Sequence, residues 1–151
     1  MRSGIVSRET YRSKATKWTQ LADIIRLSHE DLTEIIALSG CRTLERVCDE
    51  WHEAGVSLIV ITRGASSTIV SFDGTRFEVP VSRTQVVDTI GAGDAFNAGM
   101  LHWLHQTGSL GGRLDHLDLH TSRQAIEYGS KIATHSCTRR GTNYPWATEV
   151  K

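Results

Sequence analysis

Neither sign of charge dominates this chain: 17 Lys and Arg stand against 17 Asp and Glu. No block of like charge is present, which argues against a nucleic-acid arm or a membrane-binding tail. Long apolar runs are missing too. Stretches such as Leu58 to Ile61 are far too short to span a bilayer, and the opening MRSGIVSRETYRSK lacks a signal-peptide apolar region. Cysteine is scarce, with three residues at irregular spacing. An odd number of thiols fits a reducing compartment, so the cytoplasm is expected, with no nucleic-acid or membrane partner. There is no internal repeat and no low-complexity tract. Two phosphate-binding motifs are absent as well. No G-x-x-x-x-G-K-[ST] occurs. The dinucleotide fingerprint requires a third glycine, but Phe96 stands three positions after Gly93.

What is present suits one compact domain. The 151 residues are enough for a core, and 39% hydrophobic with 23% charged residues is ordinary for a globular chain. Ala22 to Leu27 reads as a buried strand. Ser28, with Asp31 three residues on, looks like the capping box of a helix that Gly40 closes. A second helix from Thr43 to Ala54 places Leu44, Val47, Cys48 and Trp51 on one apolar face and ends at Gly55. That face makes Cys48 a core residue and argues against a metal site at Cys41, Cys48 and His52. His102 and His105 read as surface residues. Ser57 to Thr62 is the clearest strand, and Thr68 to Val81 carries a hairpin signal with Asp73-Gly74 at its turn. Helices are expected after Gly93 and from Ser122 to Ser136. Strands separated by helices predict an α/β fold with a mostly parallel sheet and ligands at the carboxyl ends of the strands.

The stretch VVDTIGAGDAFNAGM, residues 86 to 100, has a distinct chemistry. Gly91, Ala92 and Gly93 let a ligand approach the main chain without meeting a large side chain. The first N–H groups of the following helix have no intrahelical partner, and the helix dipole adds partial positive charge there. Asp94, in that first turn, can cap the helix or accept a proton from a hydroxyl held against the anion. An anion site and a base side by side are what phosphoryl transfer requires.

This stretch resembles the second signature of the PfkB/ribokinase family of carbohydrate kinases, D-T-x-G-A-G-D-x-F. The likeness extends to ADIIRLSHEDL, to LIVITRGASSTIVSFDG and to AIEYGSKIATHSCTRRGTNYP, the last in a form similar to fructokinases. It implies a three-layer ribokinase-like sandwich and ATP-dependent phosphoryl transfer to a sugar hydroxyl. By resemblance, Asp94 is the catalytic base, and the N–H groups of Gly91, Ala92 and Gly93 form the anion hole. Thr62, Arg63, Gly64 and Ser67 run under the nucleotide, and the neighbourhood of Gly129 lines adenine. Asp88, Ile90 and the Gly141 loop resemble a monovalent-cation site for K+, while Mg2+ arrives with the nucleotide. Two positions depart from the pattern. Ser67 replaces the second glycine of T-x-G-x-x-G, and the N-x-x-E segment appears as Ser28-His29-Glu30-Asp31.

Family members are about twice as long, so residues 1–151 look like a single partial domain, the C-terminal half of such a kinase. Most sugar contacts belong to the other half. The implied partners are a sugar, the N-terminal half, or a second copy pairing through an exposed sheet edge. The isolated chain is expected to be inactive, and a non-catalytic nucleotide-binding or interaction module is the alternative.

Overall fold

The computed structural model describes residues 14, 17–39 and 43–150; Gly40 and Cys41, named above, lie outside them. In chain order the elements are β1 (Ile24–Ser28), α1 (His29–Ser39), α2 (Leu44–Glu53), β2 (Leu58–Thr62), β3 (Thr68–Phe72), β4 (Thr75–Val79), α3 (Ala92–Gln106) and α4 (Leu119–Cys137). A short 3-10 helix, Ala147–Glu149, follows. The described residues form two compact units. One comprises those up to Gly64 together with Ile69–Phe77; the other comprises Ala65–Thr68 and the chain from Glu78 onward.

The four strands form one sheet in the order β1-β2-β3-β4. β1 and β2 are parallel neighbours, with Ile24 opposite Leu58 and Ser28 opposite Thr62. The remainder corrects the expectation of a mostly parallel sheet: β2 and β3 are antiparallel, with Leu58 opposite Phe72, and the sheet is mixed. The reason is connection length. Only the β1-to-β2 link contains helices and is long enough for a parallel crossover. The turn Arg63–Ser67 and the turn Asp73–Gly74 are too short for one. Asp73 and Gly74 both have positive φ, 44° and 81°, the backbone of a primed hairpin turn.

In the first unit, Ser28 and Asp31 cap α1 reciprocally. Asp31 N–H donates to Ser28 Oγ at 3.1 Å, and Ser28 N–H and Oγ–H donate to Asp31 Oδ2 at 3.3 and 2.8 Å. Thr43 Oγ1 caps α2 by accepting Arg46 N–H at 3.3 Å. Leu27, Leu32, Val47, Cys48, Val56, Ile59 and Ile61 form a buried core. Burial pushes the Cys48 thiol pKa up, as suits a core thiol. His52 is committed to structure, its Nδ1 2.7 Å from Val56 O and its Nε2 2.7 Å from Ser71 Oγ. His102 and His105 are exposed.

The second unit is built on α3 against α4. Asp118 caps α4 by accepting Thr121 N–H at 2.6 Å, so this helix begins three residues before the expected Ser122. The two helices meet at glycines. A Cβ added to Gly99 would lie 2.7 Å from Ile132 Cγ1 and 3.0 Å from Gly129 Cα; one added to Gly129 would lie 2.9 Å from Phe96 O. Among the described residues no helix is long and apolar enough to cross a membrane.

Candidate active site

Asp88 organises the site. Its carboxylate ties the loop before α3 to the loop after α4: Oδ1 accepts Ile90 N–H at 3.0 Å and Oδ2 accepts Gly141 N–H at 2.8 Å. These bonds, Ile90's first and Gly141's second, hold its carboxyl below the usual carboxylate range. The backbone repeats the tie, because Val87 N–H and Asp88 N–H both donate to Cys137 O, at 2.8 and 3.2 Å. The Cys137 thiol is pushed up by burial and further by the negative charge of Asp88. Sequence reasoning placed Asp88 and Gly141 near one cation; the structure joins them by a direct hydrogen bond.

Gly91 then turns the chain into α3. Its φ is 77° and ψ is 1°, a left-handed conformation that favours glycine. Ala92 N–H donates to Thr89 O at 3.1 Å, and Ala95 N–H to Gly91 O at 2.9 Å. Among the described residues the N–H groups of Gly93 and Asp94 have no acceptor, and no side chain caps the helix. The donors expected at Gly91, Ala92 and Gly93 therefore differ: Ala92 is engaged in a turn, and Asp94 N–H joins Gly93 as an open group. Asp94 sits in the first turn with its side chain exposed. An open helix start beside a solvated carboxylate can hold an anion and receive a proton at adjacent points.

The other expected residues have different surroundings. Thr62 belongs to the first unit, where its Oγ1 accepts from Arg26 at 3.1 Å and lies 3.4 Å from Leu27 O as a donor. Arg63 follows it, partly buried, and exposed Gly64 has φ 58° with open space where a Cβ would stand. Ser67, in the second unit, hydrogen-bonds the Glu78 carboxylate. Gly129 is buried in the α3–α4 crossing, where helix packing accounts for a glycine.

For a metal, the donor chemistry separates two cases. Among the described residues no group of three or more His, Cys, Asp or Glu side chains could hold an ion. Asp31 is engaged as a cap. The Asp88 carboxylate and nearby main-chain carbonyls are hard oxygen donors, which fit a monovalent cation in kind.

Thr142 and Tyr144 were not singled out from the sequence. A Cβ on Gly91 would lie 2.5 Å from the Tyr144 hydroxyl and 3.1 Å from Thr142 Cγ2. Only the proline after Tyr144 hints at a fixed loop there, and nothing in the sequence pairs it with Gly91.

Comparison with known proteins follows the same outline. The profile described as pfkB family carbohydrate kinase matches residues 4–149. A fructokinase from Rhizobium leguminosarum bv. trifolii is 33% identical over 97 residues, covering 64% of this chain and 29% of that protein. The crystal structure of a Xylella fastidiosa fructokinase with bound ATP superposes with a TM-score of 0.77 at 25% identity, over 93% of this chain and 42% of that one. A fructokinase double mutant from Vibrio cholerae O395, solved with fructose, ADP and a potassium ion, gives 0.72 at 22% identity, over 89% and 40%. The chain spans less than half the length of each of these proteins.

Proposed function

Because this chain belongs to the pfkB family of carbohydrate kinases, we propose that it supplies the nucleotide-binding and catalytic half of an ATP-dependent sugar kinase. The observation that carries the reading is the start of α3, where open N–H groups at Gly93 and Asp94 stand beside an exposed carboxylate in the first turn. Asp94 takes the proton from the sugar hydroxyl as the hydroxyl oxygen attacks the terminal phosphorus of ATP and the bond from that phosphorus to the leaving ADP breaks. The main-chain N–H groups of Gly93 and Asp94 steady the charge that spreads over the equatorial oxygens. Thr62, Arg63, Gly64 and Ser67 hold the nucleotide, and the neighbourhood of Gly129 borders its base. Bound Mg2+ neutralises phosphate charge. Asp88, the Ile90 carbonyl and the Gly141 loop would hold K+, which adds fixed positive charge beside the anion site.

Placement of the sugar belongs to sequence this chain does not match in its longer relatives. A base without an oriented acceptor gives little acceleration, so the 151 residues alone turn over slowly. β1 has one strand neighbour among the described residues, and its other edge is a place for the complementary half or a second copy to pair. The test is ADP release over a panel including fructose and keto-deoxy sugar acids, with and without a supplied N-terminal half, with light scattering on the same samples. Sugar-dependent ADP release only when that half is present is expected. No release in either case favours a non-catalytic nucleotide-binding or interaction module. Ordinary turnover by the chain alone, about 1 s⁻¹ or faster, overturns the division of labour.

A further inference from the structure

We propose that the two clasped loops beside α3 are a docking face for the complementary, sugar-carrying half of the kinase, which seats on Val86, Val87, Ile90, Tyr144 and Trp146. The inference rests on the kinase reading above and adds to it a second surface, in the other unit from the β1 edge. The loop before α3 leaves Val86 53%, Val87 51% and Ile90 64% exposed, and the loop after α4 leaves Tyr144 40% and Trp146 78% exposed. Hydrogen bonds fix the backbone that carries them. Asp88 ties the two loops through Gly141 N–H, the N–H groups of Val87 and Asp88 donate to Cys137 O, and Thr142 and Tyr144 close on Gly91. Trp146 is held in turn, its N–H donating to Glu149 Oε2 at 2.7 Å while Glu149 pairs with Arg139, just after α4.

With the main chain committed in this way, the apolar side chains stay on the surface. Trp146 and Tyr144 alone leave on the order of 200 Å² uncovered, and the three aliphatic side chains extend the patch to the size that marks an interaction site. What covers it follows from what the chain does not span. It covers 42% of the Xylella fastidiosa fructokinase and 40% of the Vibrio cholerae one, so in the kinase reading a larger body packs against it. Sugar placement belongs to that body, and the sugar hydroxyl has to reach Asp94. Ile90 and Tyr144 flank Gly91, three residues before Asp94. A body seated on this face therefore delivers its ligand beside the carboxylate, and it shields the phosphoryl group from water. A second copy of this chain would bring another nucleotide half and no acceptor, so the face fits the complementary half.

The experiment co-expresses this chain with the N-terminal half of the Rhizobium leguminosarum bv. trifolii fructokinase, purifies through a tag on that half and weighs the product by light scattering. Wild type, Val86→Glu and Trp146→Glu are compared with a control, Leu110→Glu, on the exposed connection between α3 and α4. Thermal melts confirm that each variant folds. Wild type and Leu110→Glu should form a one-to-one complex. Val86→Glu and Trp146→Glu should each weaken it about tenfold or more, because docking would bury an unpaired carboxylate. Equal retention of all four chains overturns the docking face, and so does a wild type that forms no complex. A wild-type chain that instead dimerises with itself, and is made monomeric by the same two glutamates, shows the occupant to be a second copy and overturns the proposal. A complex that forms as expected but releases no ADP with any sugar leaves the docking face standing and counts against the kinase reading alone.

Discussion

Substituting Gly129 by alanine sets two measurable effects against each other. In an exposed helix interior the change removes backbone freedom from the unfolded chain and stabilises by about 0.8–1.0 kcal/mol. In α4 the new methyl meets Phe96 O at 2.9 Å and Met100 N and Cβ at 3.3 Å. The nearest of these is a main-chain carbonyl oxygen inside α3, which cannot swing aside as a side-chain end would. Relief requires the two helices to separate locally, and overpacking of this kind costs about 1–3 kcal/mol. The steric term wins, for a net destabilisation of about 1 kcal/mol. For a chain of this size that lowers the thermal midpoint by about 2–4 °C. Urea unfolding followed by circular dichroism should show the midpoint fall with the slope unchanged. A midpoint equal to or above wild type would refute the close crossing, because the helix-propensity gain alone would then account for the result.

Two further outcomes concern the site. In a complete kinase containing this half, Asp94→Asn should leave nucleotide affinity within a few fold and reduce turnover by about 10² or more, the usual scale for a lost general base; near-normal steady-state turnover would show the carboxylate to be a helix-start residue only. The loop clasp should also depend on pH. Because the folded Asp88 carboxyl titrates below its unfolded value, its contribution is complete above that unfolded value, about pH 4, and is lost as pH falls through the lower folded value. The Gly141 amide signal in NMR should follow that lower transition and lose it in Asp88→Asn. A Gly141 signal titrating at an ordinary aspartate value would remove Asp88 as its partner.

Local chemistry was legible wherever a few neighbouring residues settle the structure. Ser28 and Asp31 cap α1 because their side chains reach each other's backbone over three residues. Asp73-Gly74 makes a hairpin because both positions accept positive φ. The apolar face of α2 buries Cys48 because 3.6-residue periodicity puts it on the same side as Leu44 and Trp51. The glycines before Asp94 likewise announced an open helix start, and the longer motif pointed to the carbohydrate-kinase family that the profile match then showed. What the sequence left undecided depends on residues far apart in the chain. Periodicity identifies strands without their direction, so the mixed sheet emerged from the lengths of the connections. Gly99 and Gly129 are thirty positions apart and meet only because α3 and α4 cross there. Asp88 and Gly141 share a hydrogen bond across fifty-three residues, and Tyr144 reaches Gly91 through the same fold. Sequence alone determined where the chain turns, caps and starts α3 without a side-chain cap, because those are short-range steric and hydrogen-bonding choices; tertiary structure decided which distant loop closes against that start, because only packing brings the two together.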